Sequence, residues 1–243
     1  MTTKIMTRWT LVTGGAKHLG AEICRTLAKQ GRSIVCHYRN SSKEADEIVS
    51  FCRSVGVQAE SIQGDFSSQE GIHDFMIRYK AQFQSTECLI NNVGNYLLGP
   101  ASQVSLDNFY SLFQSNVAAP FVLSQGLIDS LKATQGQIIN IGTAGLQASR
   151  ADTHSPIYRA TKMALLSLTK SLARELAGDG VRVNMVSPGY LVTSEDLPAD
   201  ISKLPMKRAT QFEEVAAVIT FLLQKESRSI TGQNIEVAGG VAL

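Results

Sequence analysis

The sequence predicts an α/β fold in which helices cover both faces of a parallel sheet. Seven short apolar runs alternate along the chain with longer segments whose apolar residues recur at helical spacing. The short runs suit strands buried on both faces, and the longer segments suit amphipathic helices. Because β–α–β units stack with right-handed crossovers, we expect a single doubly wound, Rossmann-type domain with a seven-stranded parallel sheet.

The first six predicted strands are each followed by a predicted helix. The strands are expected at residues 9–13, 33–37, 58–63, 88–91, 137–142, 181–187 and 234–237. The helices are expected at residues 19–30, 44–55, 72–83, 106–131, 157–176 and 213–224. Two irregular segments, 147–155 and 190–206, follow predicted strands, where open α/β sheets bind ligands, so we expect them to wall the substrate site.

Length and composition fit one domain over residues 1–243. The chain is 44% hydrophobic and 18% charged, with no repeat and no Pro/Gly/Ser-rich linker. Its net charge of +2, with both signs mixed throughout, argues against a nucleic-acid partner or a membrane-binding patch. The start lacks a signal-peptide pattern, and every apolar run is shorter than the roughly 18 residues of a membrane span. We therefore expect a cytoplasmic protein.

The cysteines and histidines do not form a metal-binding pattern. The cysteines lack CxxC spacing, and the four histidines are scattered along the chain. We expect free thiols packed inside a reduced protein at Cys24, Cys36, Cys52 and Cys88. No metal site is predicted.

A glycine-rich turn, TGGAKHLG at residues 13–20, joins the first predicted strand to the first predicted helix. Small residues there let the backbone approach a pyrophosphate, and the helix N-terminus offers free N–H groups. At the end of the second strand, where a carboxylate would bind the ribose of NAD, Tyr38 is followed by Arg39. Arg39, Lys17 and the nearby serine hydroxyls instead suit a ribose 2′-phosphate, which predicts NADP(H) rather than NAD(H).

Tyr158 and Lys162 lie four residues apart on a predicted helix, so both side chains face one cleft. An ammonium about 5 Å from a phenol stabilises the phenolate by about 3 kcal/mol at an effective dielectric of about 20. We therefore expect Lys162 to lower the pKa of Tyr158 by about two units, into the range useful for acid–base catalysis. This pair and the phosphate turn predict a nicotinamide-dependent oxidoreductase acting on a small-molecule substrate.

Several separate motifs resemble those of the short-chain dehydrogenase/reductase family over nearly the whole chain. They are the turn at 13–20, NNVG at 91–94, PGYLVT at 188–193 and ITG at 230–232. The resemblance implies a catalytic set of Asn116, Thr143, Tyr158 and Lys162. It also implies cofactor contacts from Gly14, Lys17, His18, Leu19, Gly20, Tyr38, Arg39, Asn40, Ser41, Asp65, Phe66, Asn92, Gly94, Pro188, Gly189 and Thr193.

The resemblance also implies a role for each catalytic residue. Tyr158 would donate the proton, and Lys162 would bind the nicotinamide ribose. Thr143 would hydrogen-bond the substrate heteroatom, and Asn116 would hold a water. Thr143 stands where the family has a serine, with a longer spacing to Tyr158 than is usual there, so Ser149 and Ser155 stay open as alternative hydroxyls.

Three functions stay open. His18 replaces a glycine of the family's phosphate turn, which resembles pteridine reductases, as does HYRNS at 37–41. A 3-oxoacyl-[acyl-carrier-protein] reductase is the alternative, to which SLARE at 171–175 and Lys162 are similar. A protein that senses NADP(H) without catalysis is the third, and the retained Tyr158 argues against it.

The Tyr158 helix also carries a surface suited to self-association. Its small or apolar positions are Ala160, Ala164 and Leu168. The family resemblance implies a homo-oligomer, either a dimer or a homotetramer. An intramolecular core face would have the same spacing.

Overall fold

The computed structural model describes residues 6–148, 151–241 and 243, and its framework is one seven-stranded sheet. The strands are Trp9–Val12 (β1), Ser33–Tyr38 (β2), Ala59–Gln63 (β3), Thr86–Asn91 (β4), Gln137–Ile141 (β5), Arg182–Pro188 (β6) and Asn234–Val237 (β7). Their order is β3-β2-β1-β4-β5-β6-β7, and every pairing is parallel. The predicted doubly wound, Rossmann-type sheet is confirmed.

Helices cover both faces of this sheet. They are His18–Lys29 (α1), Ser42–Ser54 (α2), Gln69–Gln82 (α3), Leu106–Phe113 (α4), Ala119–Thr134 (α5), Pro156–Leu176 (α6) and Phe212–Leu222 (α7). One hydrophobic core is built by α1, α2 and α7, and a second core is built by α3, α5 and α6.

Successive strand residues contribute to the two cores in turn. In β1, Leu11 belongs to the core under α3, α5 and α6, whereas Val12 belongs to the core under α1, α2 and α7. In β2, Val35 belongs to the core under α3, α5 and α6, and Ile34 belongs to the core under α1, α2 and α7. Because side chains alternate across a strand, a sheet covered on both faces needs apolar residues at nearly every position. This is why the strand sequences are continuous apolar runs.

The helix predicted at 106–131 is not continuous. Five residues, Gln114–Ala118, form a π-helical turn between α4 and α5. Pro120 is one physical reason, because it has no N–H to give to the carbonyl of Asn116, four residues earlier. The predicted helical segment is confirmed, but the apolar pattern did not indicate this π-helical turn, which falls at a candidate catalytic residue.

Loops at the carboxyl ends of β1, β4, β5 and β6 gather at one edge of the sheet and build the site. Among the described residues, the four cysteines are buried free thiols, as predicted. In the same part of the chain, no helix is long and apolar enough to cross a membrane. No group of three or more His, Cys, Asp or Glu side chains there is arranged to hold a metal ion.

Candidate active site

The glycine-rich turn between β1 and α1 is shaped for close backbone approach. Gly14 has a φ of +62°, a conformation that favours glycine. A Cβ on Gly20 would collide with the Gly14 carbonyl, so α1 packs directly on the loop before it. Within the described residues no side chain caps the α1 N-terminus. Its first N–H groups are therefore available to an anion.

His18 begins α1 with its side chain exposed. Its φ of +49° lies in the left-handed region, which residues with a Cβ rarely adopt and in which histidine is among the tolerated ones. The backbone at this position therefore keeps the conformation of a glycine while a side chain projects beside the turn. The ring lies 6.3 Å from the ring of Phe212 on α7.

His37 supports the phosphate turn from inside the protein. Its Nδ1 accepts the N–H of Gly14 at 3.0 Å, so Nε2 carries the proton and donates it to the Gly64 carbonyl at 3.1 Å. Its ring stacks on Phe66, with centroids 4.2 Å apart. Burial lowers the pKa of His37 to about 4, so the ring is neutral at physiological pH. The role of His37, the first residue of the 37–41 segment, is therefore to pack under the phosphate turn.

Asn92 ties the ends of β1 and β4 together. Its Nδ2 donates to the carbonyls of Thr13 and Gly14 at 3.0 and 3.3 Å. The Thr13 hydroxyl accepts the backbone N–H groups of Asn92 and Val93 at 2.9 and 3.0 Å. The Asn92 side chain thus braces the phosphate turn.

The two cations expected to select NADP(H) have different surroundings. Lys17 Nζ lies 2.7 Å from Glu44 Oε1, and this hydrogen bond is the main cause of a lowered Glu44 pKa. Arg39 is exposed, and its guanidinium makes no ion pair within the described part of the chain. Sequence reasoning missed Glu44, whose charge offsets that of Lys17. Arg39 is therefore the cation free to meet an anion.

The neighbours of Arg39 leave room for a polar ligand. Tyr38 packs partly against the α1-side core, and Asn40 is exposed. Ser41 precedes α2 and makes no side-chain cap bond among the described residues, so its hydroxyl is available. Asp65 is exposed; the Ser67 backbone N–H is the main cause of its lowered pKa, and Arg39 adds to it.

Tyr158 and Lys162 lie on one face of α6, as predicted. Lys162 Nζ lies 5.7 Å from the centre of the Tyr158 ring and donates to the Ile141 carbonyl at 2.8 Å. Gly94 passes close by, since a Cβ there would lie 3.2 Å from Lys162 Nζ and 3.1 Å from Asn116 Oδ1. The loop after β4 therefore brings Asn116 and Lys162 into one neighbourhood.

Asn116 lies in the π-helical turn, and both ends of its amide are bonded. Its Oδ1 accepts the Asn95 N–H at 2.8 Å, and its Nδ2 donates to the Asn95 carbonyl and the Thr161 hydroxyl at 3.0 Å each. These bonds tie the loop after β4 to α6. The water-holding role of Asn116 stays a prediction.

The expected sign of the Tyr158 pKa shift was wrong. Burial raises the pKa of Tyr158 to about 12; a hydrogen bond with Thr143 opposes the shift, and the charge of Asp196 adds to it. Burial also lowers the pKa of Lys162 to about 8. The loss of hydration is the largest contribution to the Tyr158 shift, and the Lys162 ammonium is bonded to the Ile141 carbonyl. Tyr158 is consequently a neutral phenol at physiological pH and is ready to donate a proton.

Of the three candidate hydroxyls, the structure brings Thr143 to Tyr158. The Thr143 side chain lies beside the phenol in the cavity, and its interaction with the hydroxyl lowers the Tyr158 pKa against the effect of burial. The Ser155 side chain lies beside Tyr96 instead, where it lowers the pKa of that phenol against the larger effect of burial. Ser149 lies outside the described residues.

Two distant charged residues hold the loop that carries Thr143. The Gly145 N–H donates to Glu236 Oε1 at 2.8 Å. Arg159 Nη2 donates to the Gly145 carbonyl, and to the Ala148 carbonyl at 2.8 Å. These contacts fix a loop that is longer than the family pattern. Glu236, which lies 91 positions from Gly145, could not be inferred from local sequence.

A cavity of about 830 Å³ opens beside Tyr158. Both irregular segments predicted to wall the site contribute to it. Predicted site residues that line it are Leu19, Asn92, Gly94, Thr143, Tyr158, Lys162, Pro188, Gly189 and Thr193. Gly189 must lack a side chain, because a Cβ there would lie 2.9 Å from the Ala238 backbone. Asp196 also lines the cavity and was not predicted.

Comparison with known proteins identifies the family. The family model described as enoyl-(acyl carrier protein) reductase matches residues 14–242. The chain belongs to the short-chain dehydrogenase/reductase family. It is 30% identical over 256 residues to the 3-oxoacyl-[acyl-carrier-protein] reductase of Staphylococcus aureus, covering 97% of this chain and 98% of that protein. The predicted nicotinamide-dependent oxidoreductase is thus confirmed at the level of the family.

Two solved structures are similar to this chain over nearly its whole length. A blue fluorescent protein from a metagenomic library, in complex with NADPH, has a TM-score of 0.87 and 30% identity, with 99% of this chain and 100% of that chain covered. A short-chain dehydrogenase from Burkholderia cenocepacia, in complex with NADP, has a TM-score of 0.89 and 29% identity, with 98% of both chains covered. Two proteins that share this fold and are about 30% identical to this chain therefore bind NADPH or NADP.

Proposed function

We propose that this enzyme uses NADPH to reduce a C=O or C=N group of a small substrate, with Tyr158 as the proton donor. The observation that carries the proposal is a protonated, partly buried phenol that faces a substrate-sized cavity, between Lys162 and Thr143. NADPH supplies the hydride when bound. Tyr158 gives its proton to the heteroatom, and solvent returns a proton to the phenolate.

The residues around the phosphate turn fit NADP(H). Gly14 and Gly20 leave the backbone open to a pyrophosphate, and the α1 N-terminus points its N–H groups there. Arg39 and the Ser41 hydroxyl offer a guanidinium and a donor to a 2′-phosphate, and no carboxylate stands at the end of β2 to prefer a ribose hydroxyl. The NADPH- and NADP-bound relatives support the same assignment.

The chain's own residues then divide the remaining work. Lys162, held by the Ile141 carbonyl, is placed to bind the nicotinamide ribose. The Thr143 hydroxyl lies beside the phenol and can hydrogen-bond the substrate oxygen or nitrogen as charge develops. Asn116 keeps the loop after β4 against α6.

Dihydropteridines or related oxidised pterins are the substrate class we favour. His18 projects beside the phosphate turn, and Arg39 and Ser41 complete the similarity to the pteridine reductase segment. The cavity presents Tyr96 and Tyr190 to a flat ring, and Asp196 can accept from ring N–H groups. A 3-oxoacyl thioester is the second candidate, which the Staphylococcus aureus relative favours.

The test is NADPH oxidation by the purified protein with a dihydropteridine and, separately, with an acetoacetyl thioester. We expect selective turnover of the dihydropteridine, and slower turnover when NADH replaces NADPH. Preference for the thioester would support the second candidate substrate. It would leave the assignment as an NADPH-dependent reductase unchanged. Turnover of neither substrate, in a protein that binds NADPH, would contradict both substrate proposals.

We also propose a homo-oligomer, dimer or tetramer, in the cytoplasm. Leu168 on α6 lines an apolar groove with the largely exposed Tyr110 and Phe121. Light scattering tests the assembly, since a clean monomer mass would contradict it.

A further inference from the structure

Two side chains from opposite walls of the cavity meet beside Tyr158. Tyr96 follows β4, and Asp196 lies in the loop after β6, 100 positions away. The Tyr96 hydroxyl donates to Asp196 Oδ2 at 2.6 Å. That distance is typical of a charge-assisted O–H···O⁻ hydrogen bond, which is stronger than a neutral one. The contact therefore joins the two walls of the cavity.

The Tyr96 ring stands edge-on to the Tyr158 ring. The centroids are 4.6 Å apart, and the ring planes meet at 86°. Such T-shaped pairs are favourable, so the Tyr96 ring restricts the orientation of the Tyr158 ring.

We propose that Tyr96 and Asp196 form a latch across the cavity, and that Asp196 is a positioning residue acting on Tyr158 through the Tyr96 ring. The proposal rests on the role of Tyr158 as proton donor. It assigns a function to an acidic residue that neither the cofactor nor the family motifs require. The latch closes the loop after β6 over the substrate and holds the phenol in one orientation.

The charges around Tyr158 give the latch a second effect. The titratable groups that face it or line the same cavity are Lys162 and Arg159 on its own helix, Tyr96 after β4, Tyr190, Glu195 and Asp196 after β6, and Asp152 and His154 before α6. The charge of Asp196 raises the pKa of Tyr158, in addition to the larger effect of burial. A carboxylate fixed near a phenol disfavours the phenolate, so the latch also keeps the donor protonated.

A double-mutant cycle tests the contact. Tyr96→Phe and Asp196→Ala each remove the hydrogen bond, and we expect each to lower kcat/KM about tenfold for whichever substrate is turned over. The double variant should lose little more than either single variant, because both remove the same bond. NADPH affinity should change less than twofold. If the losses in kcat/KM of the two single variants multiply in the double variant, the proposed latch is wrong.

Two further variants separate charge from shape. Asp196→Asn keeps an acceptor for Tyr96 and removes the charge. Its kcat/KM should therefore stay much closer to the wild-type value than that of Asp196→Ala. Asp200→Asn is the matched control, because it removes an exposed carboxylate of the same loop that does not line the cavity, and it should behave as the wild type. Equal losses in Asp196→Asn and Asp196→Ala would show that the bond to Tyr96 is not what matters.

A substrate-free measurement keeps this proposal separate from the proposed function. The chain has six tyrosines, so NMR of Cζ-labelled tyrosine, with Tyr158→Phe to assign the signal, follows the Tyr158 phenol directly. We expect its titration to begin about one pH unit lower in Asp196→Asn than in the wild type or in Asp200→Asn. An unchanged onset would overturn the charge effect, whether or not any tested substrate is reduced.

Discussion

The two halves of the site are held in different ways. The cofactor half, residues 13–20, 37–41 and 91–95, is held at the ends of neighbouring strands, where backbone groups bond each other and the side chains of Thr13, His37 and Asn92. The substrate half consists of Tyr96, the described residues of 142–155, and residues 189–206. It is held by side chains from distant parts of the chain, as in the Tyr96–Asp196 and Gly145–Glu236 bonds. The cofactor half is thus held within adjacent strand ends of the sheet, and the substrate half by single side chains that join separate loops.

Gly20→Ala is the substitution expected to disturb the cofactor half most. The added methyl would collide with the Gly14 carbonyl, which belongs to the backbone and cannot rotate away. We expect NADPH binding to weaken by about 3 kcal/mol, the upper end of an overpacking cost. Fluorescence titration with NADPH measures this. Gly178→Ala is the control, since a Cβ there has no neighbour within 4 Å; equal effects in the two variants would contradict the close packing of α1 on the turn.

His37 should make the cofactor half sensitive to acid. Its folded-state pKa of about 4 lies below its ordinary value of 6.5, so the unfolded chain takes up the proton first. Stability should therefore fall as the pH drops from about 7 towards 4, by about 2 kcal/mol at pH 5 from this residue alone. Urea unfolding at pH 8 and pH 5 measures it, and His37→Gln should reduce the difference. The same pH dependence in both proteins would contradict the buried, neutral state of His37.

Arg39 and Lys17 should differ in their effect on cofactor choice. We expect Arg39→Met to lower the preference for NADPH over NADH about tenfold, the effect of one charge-assisted hydrogen bond. Lys17→Met should have a smaller effect, because Glu44 already pairs with Lys17. Titration of each variant with both cofactors measures the ratio. A larger effect in Lys17→Met would mean that the Glu44 pair opens when NADP(H) binds.

The sequence predicted the cofactor half well because its constraints are local. Strand, turn and helix follow one another within residues 9–29, and buried strands have a clear apolar pattern. The place of Tyr158 and Lys162 on one face also followed from their spacing. These patterns could not predict the surroundings of the side chains. Burial reverses the expected pKa shift of Tyr158, and the charge of Glu44 offsets that of Lys17.

The substrate half was predicted only as two irregular segments. Asp196 and Glu236 act over about 100 positions, and no periodicity links them to Tyr96 or Gly145. The π-helical turn at Asn116 was missed for a similar reason, because the apolar pattern of 106–131 continues through it. Long-range side-chain contacts of this kind become visible only when the strands have been placed in order.

Tyr158→Phe tests the central claim most directly. The substitution removes the proton donor and keeps the ring against Tyr96, while Lys162 keeps its bond to Ile141. The rate of NADPH oxidation with the preferred substrate should fall by about 10²- to 10⁴-fold, the usual contribution of a general acid, while the NADPH dissociation constant stays within twofold of the wild type. A variant that retains wild-type turnover would show that the proton comes from another group and would contradict the account.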